Sequence, residues 1–130
     1  SVALVHGMSR PIGAFYHVPH GLSNAMLLPS VTEFSIPAAT KRYADCARAM
    51  EVALKEDSDE DANKKLLIEL EDINKELNVP TPKEFGINEK DFMNNLEIMA
   101  EQALASGSPG NNPRVPDNKE IINIYKLLWT

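Results

Sequence analysis

Three histidines give this 130-residue chain its clearest potential for chemistry, and all three lie near its start. His6 and His20 end separate segments that are joined by a turn containing proline and glycine. Neutral imidazole is a common ligand of transition metals, and two imidazoles that converge from different segments supply half of a tetrahedral shell. His6 and His20 are therefore candidate metal ligands, and a structural role for the histidines is the alternative.

The surroundings of the histidines leave their roles open. His17 and His20 would share one face of a helix, but Pro19 lies between them and interrupts a continuous helix. His6 lies on an apolar segment, where a buried imidazole needs either a hydrogen-bond partner or a ligand. Periodicity alone does not choose between these two solutions.

The composition bounds the class of protein. With 43% hydrophobic and 25% charged residues, residues 1–130 are predicted to form a single domain. A chain of this length can bury a sufficient hydrophobic core to fold without a disulfide. Cys46 is the only cysteine, which fits a reducing cytosol, and it is predicted to be a small buried side chain. The net charge of −6 and the scattered lysines argue against nucleic-acid binding. No signal peptide or membrane span is recognisable, so we expect a cytoplasmic protein.

Hydrophobic periodicity predicts an all-α fold. Apolar residues recur at helical intervals behind capping residues in the second half of the chain, and no window alternates with the period of a strand. Five helices are predicted: 20–34, 37–50, 58–77, a helix that starts after Asn88 and stops near Ser106, and one from Asp117 to Leu128.

The first five residues, Ser-Val-Ala-Leu-Val, are apolar except for Ser1 and have no polar lead-in before them. This pattern predicts that the chain begins inside an element, as a piece of a longer protein would, while a buried N-terminal helix is the alternative. For a piece of a longer protein, we expect His6, His20 and the apolar residues of the first segment to lie on an open surface. Such a surface would also favour self-association into a homo-oligomer.

The segment VHGMSRPIGAFYHVPHGLSNAMLLP, residues 5–29, resembles the metal-binding signature of the iron-containing (group III) alcohol dehydrogenases. The resemblance combines the first histidine, a Pro-x-Gly turn, an aromatic pair, Pro-His-Gly and the ending Asn-Ala-x-Leu-Leu-Pro. Looser similarities follow along nearly the whole chain: Arg42-Tyr43-Ala44, Leu77-Asn78-Val79-Pro80, Phe85-Gly86-Ile87 and Asn112-Pro113-Arg114.

This resemblance implies a multi-helix C-terminal domain of a two-domain dehydrogenase, similar to the helical domain of dehydroquinate synthase. The N-terminal α/β domain, which binds NAD or NADP in the family, would be absent from this chain. The resemblance also implies Fe²⁺ or Zn²⁺ held by one aspartate and three histidines, of which the last two match His6 and His20. The other two ligands would lie upstream of Ser1.

One position departs from the family pattern. Many members carry a further histidine four residues after the first matching ligand, near the substrate, and this chain has Arg10 there. Arginine cannot act as a general base near neutral pH, so Arg10 would bind a carboxylate or phosphate of the substrate or pair with an acid at a domain interface. His17 is the remaining candidate for a proton relay.

The predicted function is that of the metal-binding helical half of an NAD(P)-dependent alcohol dehydrogenase. The full-length enzyme would interconvert a small alcohol and an aldehyde or ketone by hydride transfer, with the missing α/β domain as its partner, and the fragment alone would be inactive. The alternative is a free-standing helical interaction module in which the histidines are structural.

Overall fold

The computed structural model describes residues 3–129, which contain helices and loops and no strand. The all-α prediction is confirmed. No helix in this range is both long and apolar enough to cross a membrane. The helices of the described range are α1 (Leu4–Tyr16), α2 (His20–Ser35), α3 (Thr40–Ala49), α4 (Asp59–Glu76), α5 (Pro82–Phe85), α6 (Glu89–Asn94), α7 (Leu96–Ala105) and α8 (Asn118–Leu128), with 3-10 turns at Ile36–Ala38 and Ser108–Asn111.

Side-chain caps set the starts of α4 and α8, as the sequence predicted. The Ser58 hydroxyl accepts a hydrogen bond from the backbone N–H of Asp61 at 3.1 Å. Asp117 and Glu120 form a reciprocal capping box, in which each side chain accepts from the other residue's backbone N–H. These bonds satisfy backbone N–H groups that have no partner inside the helix. Because both partners lie within three residues of each other, the start of the helix can be predicted from the sequence.

Two predicted helices are interrupted in the structure. The helix predicted between Asn88 and Ser106 breaks at Asn95 into α6 and α7. The Asn95 side-chain amide donates to the Tyr16 hydroxyl at 3.1 Å, and that hydroxyl donates to the Asp91 carbonyl at 3.2 Å. The break is therefore fixed by a contact with α1, which is about 79 residues away in sequence and invisible to local patterns.

The helix predicted from Pro37 also starts later than expected. Pro37 lies in the 3-10 turn Ile36–Ala38, and α3 begins only at Thr40. Ala39, with φ −149° and ψ 43°, separates the two segments. Helix α5 was not predicted: Thr81 and Glu84 form its capping box and Pro82 occupies its first turn.

Pro11 and Gly13 lie inside α1, so the turn predicted around them is wrong. Proline removes one intrahelical hydrogen bond and favours a kink, but α1 continues through it because its inward face is fully buried. Leu4, Met8 and Ile12 form that face, each with 0% of its surface exposed. The expectation that the apolar residues of this segment lie on an open surface is therefore wrong for these three.

The main core joins α1, α2 and the helices of the C-terminal half. Phe92 is central to it, with its ring centroid 6.5 Å from that of Tyr125 and 5.3 Å from that of Trp129. The Tyr125 hydroxyl donates to the Met8 carbonyl at 2.7 Å and so ties α8 to α1. Burial raises the pKa of the Tyr125 phenol, which keeps it protonated as a donor.

A second, smaller cluster joins α3 and α4 through alanines and Leu66: Ala44, Ala47, Ala53, Ala62 and Leu66. Small side chains let the two helices approach closely. Cys46 is exposed, so its predicted burial is wrong. Its neighbours Ala44 and Ala47 define the inward face of α3, and Cys46 lies off that face.

Replacing Tyr125 by Phe removes the buried hydrogen bond to Met8 while keeping the ring. We expect the free energy of unfolding to fall by about 1 kcal/mol, the usual contribution of one such bond. Urea denaturation followed by circular dichroism measures the change. Tyr43→Phe is the matched control, because the Tyr43 hydroxyl has no hydrogen-bond partner in residues 3–129, and it should change stability by much less. Equal losses in the two variants would contradict the role assigned to Tyr125.

Candidate metal centre

The structure brings His6 and His20 together. His6 lies in the first turn of α1 and His20 is the first residue of α2. Their ring centroids are 5.2 Å apart, with the ring planes at 78°. His20 is exposed and His6 half-buried, so both rings stand at the surface of the domain.

A reversal of the chain after α1 makes this convergence possible. His17 caps α1 in the left-handed conformation, with φ 58° and ψ 29°. His6 and Tyr16 are ten residues apart, or about 15 Å along the helix, and the link to His20 can retrace about 10 Å of that length. The side chains bridge the remainder.

Gly13 permits the link to return close to α1. The carbonyl oxygen of Val18 lies so near that a Cβ atom added at Gly13 would be 3.3 Å from it. Val18 itself is buried, with 3% of its surface exposed, and this contact holds the link against the helix. The glycine that the sequence placed in a turn thus serves inside a helix as the point of close approach.

Each histidine is followed at the third position by a buried serine. The Ser9 hydroxyl donates to the carbonyl of His6 at 3.1 Å, and the Ser23 hydroxyl donates to the carbonyl of His20 at 2.9 Å. The two serines are 1% and 0% exposed. These bonds fix the backbone of both first turns. The shared spacing, His-x-x-Ser, is visible in the sequence but was not used in the prediction.

Asn24 supports His20 from the next turn of α2. Its amide Nδ2 lies 3.3 Å from Nε2 of His20. Which of the two groups donates in this contact depends on the tautomer of the His20 ring. The other amide atom, Oδ1, is buried and has no hydrogen-bond partner among residues 3–129. Asn24 and His20 are therefore in side-chain contact one turn apart on α2.

The separation of the two rings is compatible with two ligands of one metal ion. Two imidazoles bound at about 2.1 Å hold their ring centroids about 5 Å apart when the angle at the metal is near tetrahedral. The observed 5.2 Å agrees with this geometry. Within residues 3–129 no group of three or more potential ligands (His, Cys, Asp or Glu) is assembled, so the described residues offer two.

His17 and Arg10 occupy different places at this end of the domain. His17 is exposed, and no hydrogen bond or ring contact within residues 3–129 joins it to His6 or His20. Arg10 is exposed on α1, one helical turn after His6. The structure therefore unites two of the four predicted site residues and leaves the other two on the surface beside them.

The same arrangement of sequence is found in proteins of known activity. The model of the C-terminal part of the iron-containing alcohol dehydrogenase family matches residues 1–129. The chain belongs to this family. Its relatives within the family include the NADPH-dependent butanol dehydrogenase of Clostridium saccharobutylicum, 31% identical over 129 residues, and the lactaldehyde reductase of Escherichia coli, 33% identical over 129 residues. Both alignments cover 98% of this chain and 33% of the relative.

Solved structures of the family share the fold. A crystal structure of 1,3-propanediol oxidoreductase superposes with a TM-score of 0.88 at 29% identity, covering 97% of this chain and 32% of that one. An alcohol dehydrogenase from Oenococcus oeni gives 0.87 at 28% identity, covering 98% and 32%. The chain thus spans about a third of the length of these iron-containing alcohol dehydrogenase relatives, as the sequence resemblance implied.

Substituting Gly13 by Ala tests the close return of the link. The Val18 carbonyl must move, so we expect weaker nuclear Overhauser contacts between the ring protons of His6 and His20. Gly21→Ala is the control, because a Cβ at Gly21 meets nothing within 4 Å. We expect this control to keep the ring contacts and to gain about 0.5 to 1 kcal/mol of stability, a gain that Gly13→Ala lacks. Unchanged ring contacts in Gly13→Ala would contradict the role of the glycine.

Proposed function

We propose that this chain is the metal-binding helical half of an NAD(P)-dependent enzyme that interconverts an alcohol and an aldehyde or ketone by hydride transfer. The observation that carries the proposal is the convergence of the His6 and His20 rings at 5.2 Å in a member of the iron-containing alcohol dehydrogenase family. The ion is Fe²⁺ or Zn²⁺, since both accept imidazole. The butanol and lactaldehyde activities in the names of its relatives support a small alcohol or aldehyde as the substrate.

We further propose that the remaining ligands and the nucleotide site are supplied by protein outside this chain. A catalytic metal commonly has at least three protein ligands, and the described residues bring two together. The iron-containing relatives are about three times as long as this chain, which leaves room for a nucleotide-binding domain. Without that domain the chain has no hydride carrier, so alone it is inactive in hydride transfer.

Charge balance supports a carboxylate among the missing ligands. Residues 1–32 contain no aspartate or glutamate, and both histidines lie in the first turn of a helix. The N-terminal ends of helices carry partial positive charge, which opposes a dication placed between them. A negatively charged ligand from elsewhere would compensate for both effects, as the aspartate implied by the family resemblance does.

In this proposal the residues of the chain have distinct tasks. His6 and His20 hold the ion, and Ser9 and Ser23 fix the backbone turns from which the imidazoles extend. The bound ion would polarise the alcohol or carbonyl oxygen of the substrate. His17, exposed at the end of α1, exchanges a proton between the site and solvent, because Arg10 remains protonated at neutral pH.

Removing either imidazole tests the metal site. For the full-length reading frame that contains this chain, we expect His6→Ala and His20→Ala to weaken the affinity for Zn²⁺ or Fe²⁺ by at least about 100-fold. Loss of a residue that only hydrogen-bonds to a metal ligand already weakens metal affinity by about 10- to 100-fold, and loss of the ligand itself should cost more. Metal content after dialysis and alcohol-dependent NAD(P) reduction are the two readouts, and both should collapse together.

His17→Asn is the matched control for metal content, because asparagine tolerates the left-handed conformation that His17 adopts. It should retain the ion. Metal content that is indifferent to His6→Ala and His20→Ala would return the histidines to a structural role and favour a helical interaction module.

The same His17→Asn variant tests the proton relay. We expect kcat to fall by about 100-fold with metal content unchanged, because general acid–base catalysis typically contributes at least that factor. Added imidazole should restore part of the rate by replacing the missing group. An unchanged kcat, or a loss that imidazole does not reverse, would show that His17 has only its structural role at the chain reversal.

A further inference from the structure

Arg10 is the only charged side chain in residues 1–32. All 19 acidic residues of the chain lie beyond this segment. Up to Thr32, α1 and α2 therefore present a nearly uncharged surface with one guanidinium, and the first acid, Glu33, lies in the last turn of α2, far along that helix from His20. A surface salt bridge within this segment is excluded by composition, so any counter-ion must come from another part of the molecule or from a ligand.

No other part of the described chain supplies a counter-ion. Within residues 3–129, Arg10 is exposed and forms no ion pair with a carboxylate within 4.0 Å. The cations that do form ion pairs all lie outside the His6–His20 region: Lys41, Arg48, Lys64, Lys65 and Arg114. A guanidinium has five N–H donors in a planar arrangement that matches a carboxylate or phosphate. The donors of Arg10 can therefore bind an anionic group of a ligand.

A cavity of about 260 Å³ adjoins Arg10 between α1 and the end of α7. The small side chain of Ala14 leaves space beside the helix, whereas Gly7 is packed closely, since a Cβ added there would lie 3.0 Å from Pro109 and 3.3 Å from the Ser106 hydroxyl oxygen. The volume lies just below the range of pockets that hold drug-sized molecules, so it suits a compound of a few carbon atoms. The lining residues are Gly7, Arg10, Pro11, Ala14, Gln102 and Ser106.

The cavity lies beside the same helix, α1, that carries His6. Gly7, on its wall, directly follows His6, and Arg10 follows His6 by four residues, about 6 Å along the helix axis. A short molecule with an anionic group on Arg10 can therefore extend toward the His6 side of the helix. Gln102 offers a neutral amide donor on the opposite wall.

We propose that Arg10 is a specificity-determining residue that selects substrates carrying a carboxylate, phosphate or phosphonate a few carbon atoms from the reacting oxygen. This inference rests on the proposed function, because it takes the substrate to react at the His6–His20 centre. The guanidinium binds the anion through two parallel hydrogen bonds, and the small-residue cavity holds the connecting carbons. An acid of another domain that pairs with Arg10 is the competing explanation, and the experiment separates the two.

The test compares butanal with 4-oxobutanoate, its analogue with a terminal carboxylate, in the metal-loaded full-length protein. We expect the wild type to prefer 4-oxobutanoate in kcat/KM. Arg10→Met should reduce this preference by about 10- to 100-fold, the range of a hydrogen bond to a charged group, and should keep the activity on butanal. Arg10→Lys, which keeps the charge without the fork, should lie in between.

A binding measurement gives a readout that does not depend on activity. Isothermal titration of metal-free protein with succinate and with methylphosphonate should show affinity that Arg10→Met lowers by at least about 10-fold. The tighter of the two anions identifies carboxylate or phosphonate as the preferred group. Arg42→Met is the matched control, since Arg42 is also exposed and without an ion pair in residues 3–129, and it should bind both anions as the wild type does.

The outcomes distinguish the two proposals. Turnover of butanal with no loss of anion preference or anion binding in Arg10→Met overturns the assignment of Arg10 and leaves the proposed function standing. Reduced thermal stability of Arg10→Met with unchanged substrate preference and anion binding identifies a structural ion pair and likewise overturns it. A metal-loaded wild type that turns over neither aldehyde contradicts the proposed function itself, while the anion titrations still report on Arg10.

Discussion

The close return of the chain against α1 is the contact on which the candidate metal centre depends. Helix α1 ends with His17 in the left-handed conformation, and the following link lies against the helix where Gly13 has no side chain. This contact carries His20 back along the helix toward His6, ten residues before the end of α1. A longer or looser connection would allow the first turn of α2, and His20 with it, to move away from His6.

Helix α1 has a second role that makes the site rigid. One face contributes Leu4, Met8 and Ile12 to the main core, and the carbonyl of Met8 receives the hydroxyl of Tyr125 from α8. The histidine thus extends from a helix that is held on its other side by the C-terminal half of the domain. A ligand on a helix with a fully packed face keeps its position better than one on a loop.

The separation of charges along the chain distinguishes the site from the rest of the surface. Residues 1–32 carry Arg10 alone, whereas the later helices carry many acids and most of the lysines. An uncharged surface of this kind can be covered by another protein surface at a lower desolvation cost than a charged one. The acidic and lysine side chains that remain in water lie mainly on α3 to α8.

The sequence alone determined the helical class, which follows from the hydrophobic period, and the caps of α4 and α8, which follow from local hydrogen bonds. It also identified His6 and His20 as candidate ligands, because imidazole is a common metal ligand. Tertiary structure decided the break at Asn95, which requires Tyr16, and the helical conformation of Pro11 and Gly13, which requires a buried face and a returning link. It also decided the exposure of Cys46, since that depends on which face of α3 meets α4. Most important, the 5.2 Å between His6 and His20 is a property of how two helices pack, and no spacing in a sequence fixes such a distance.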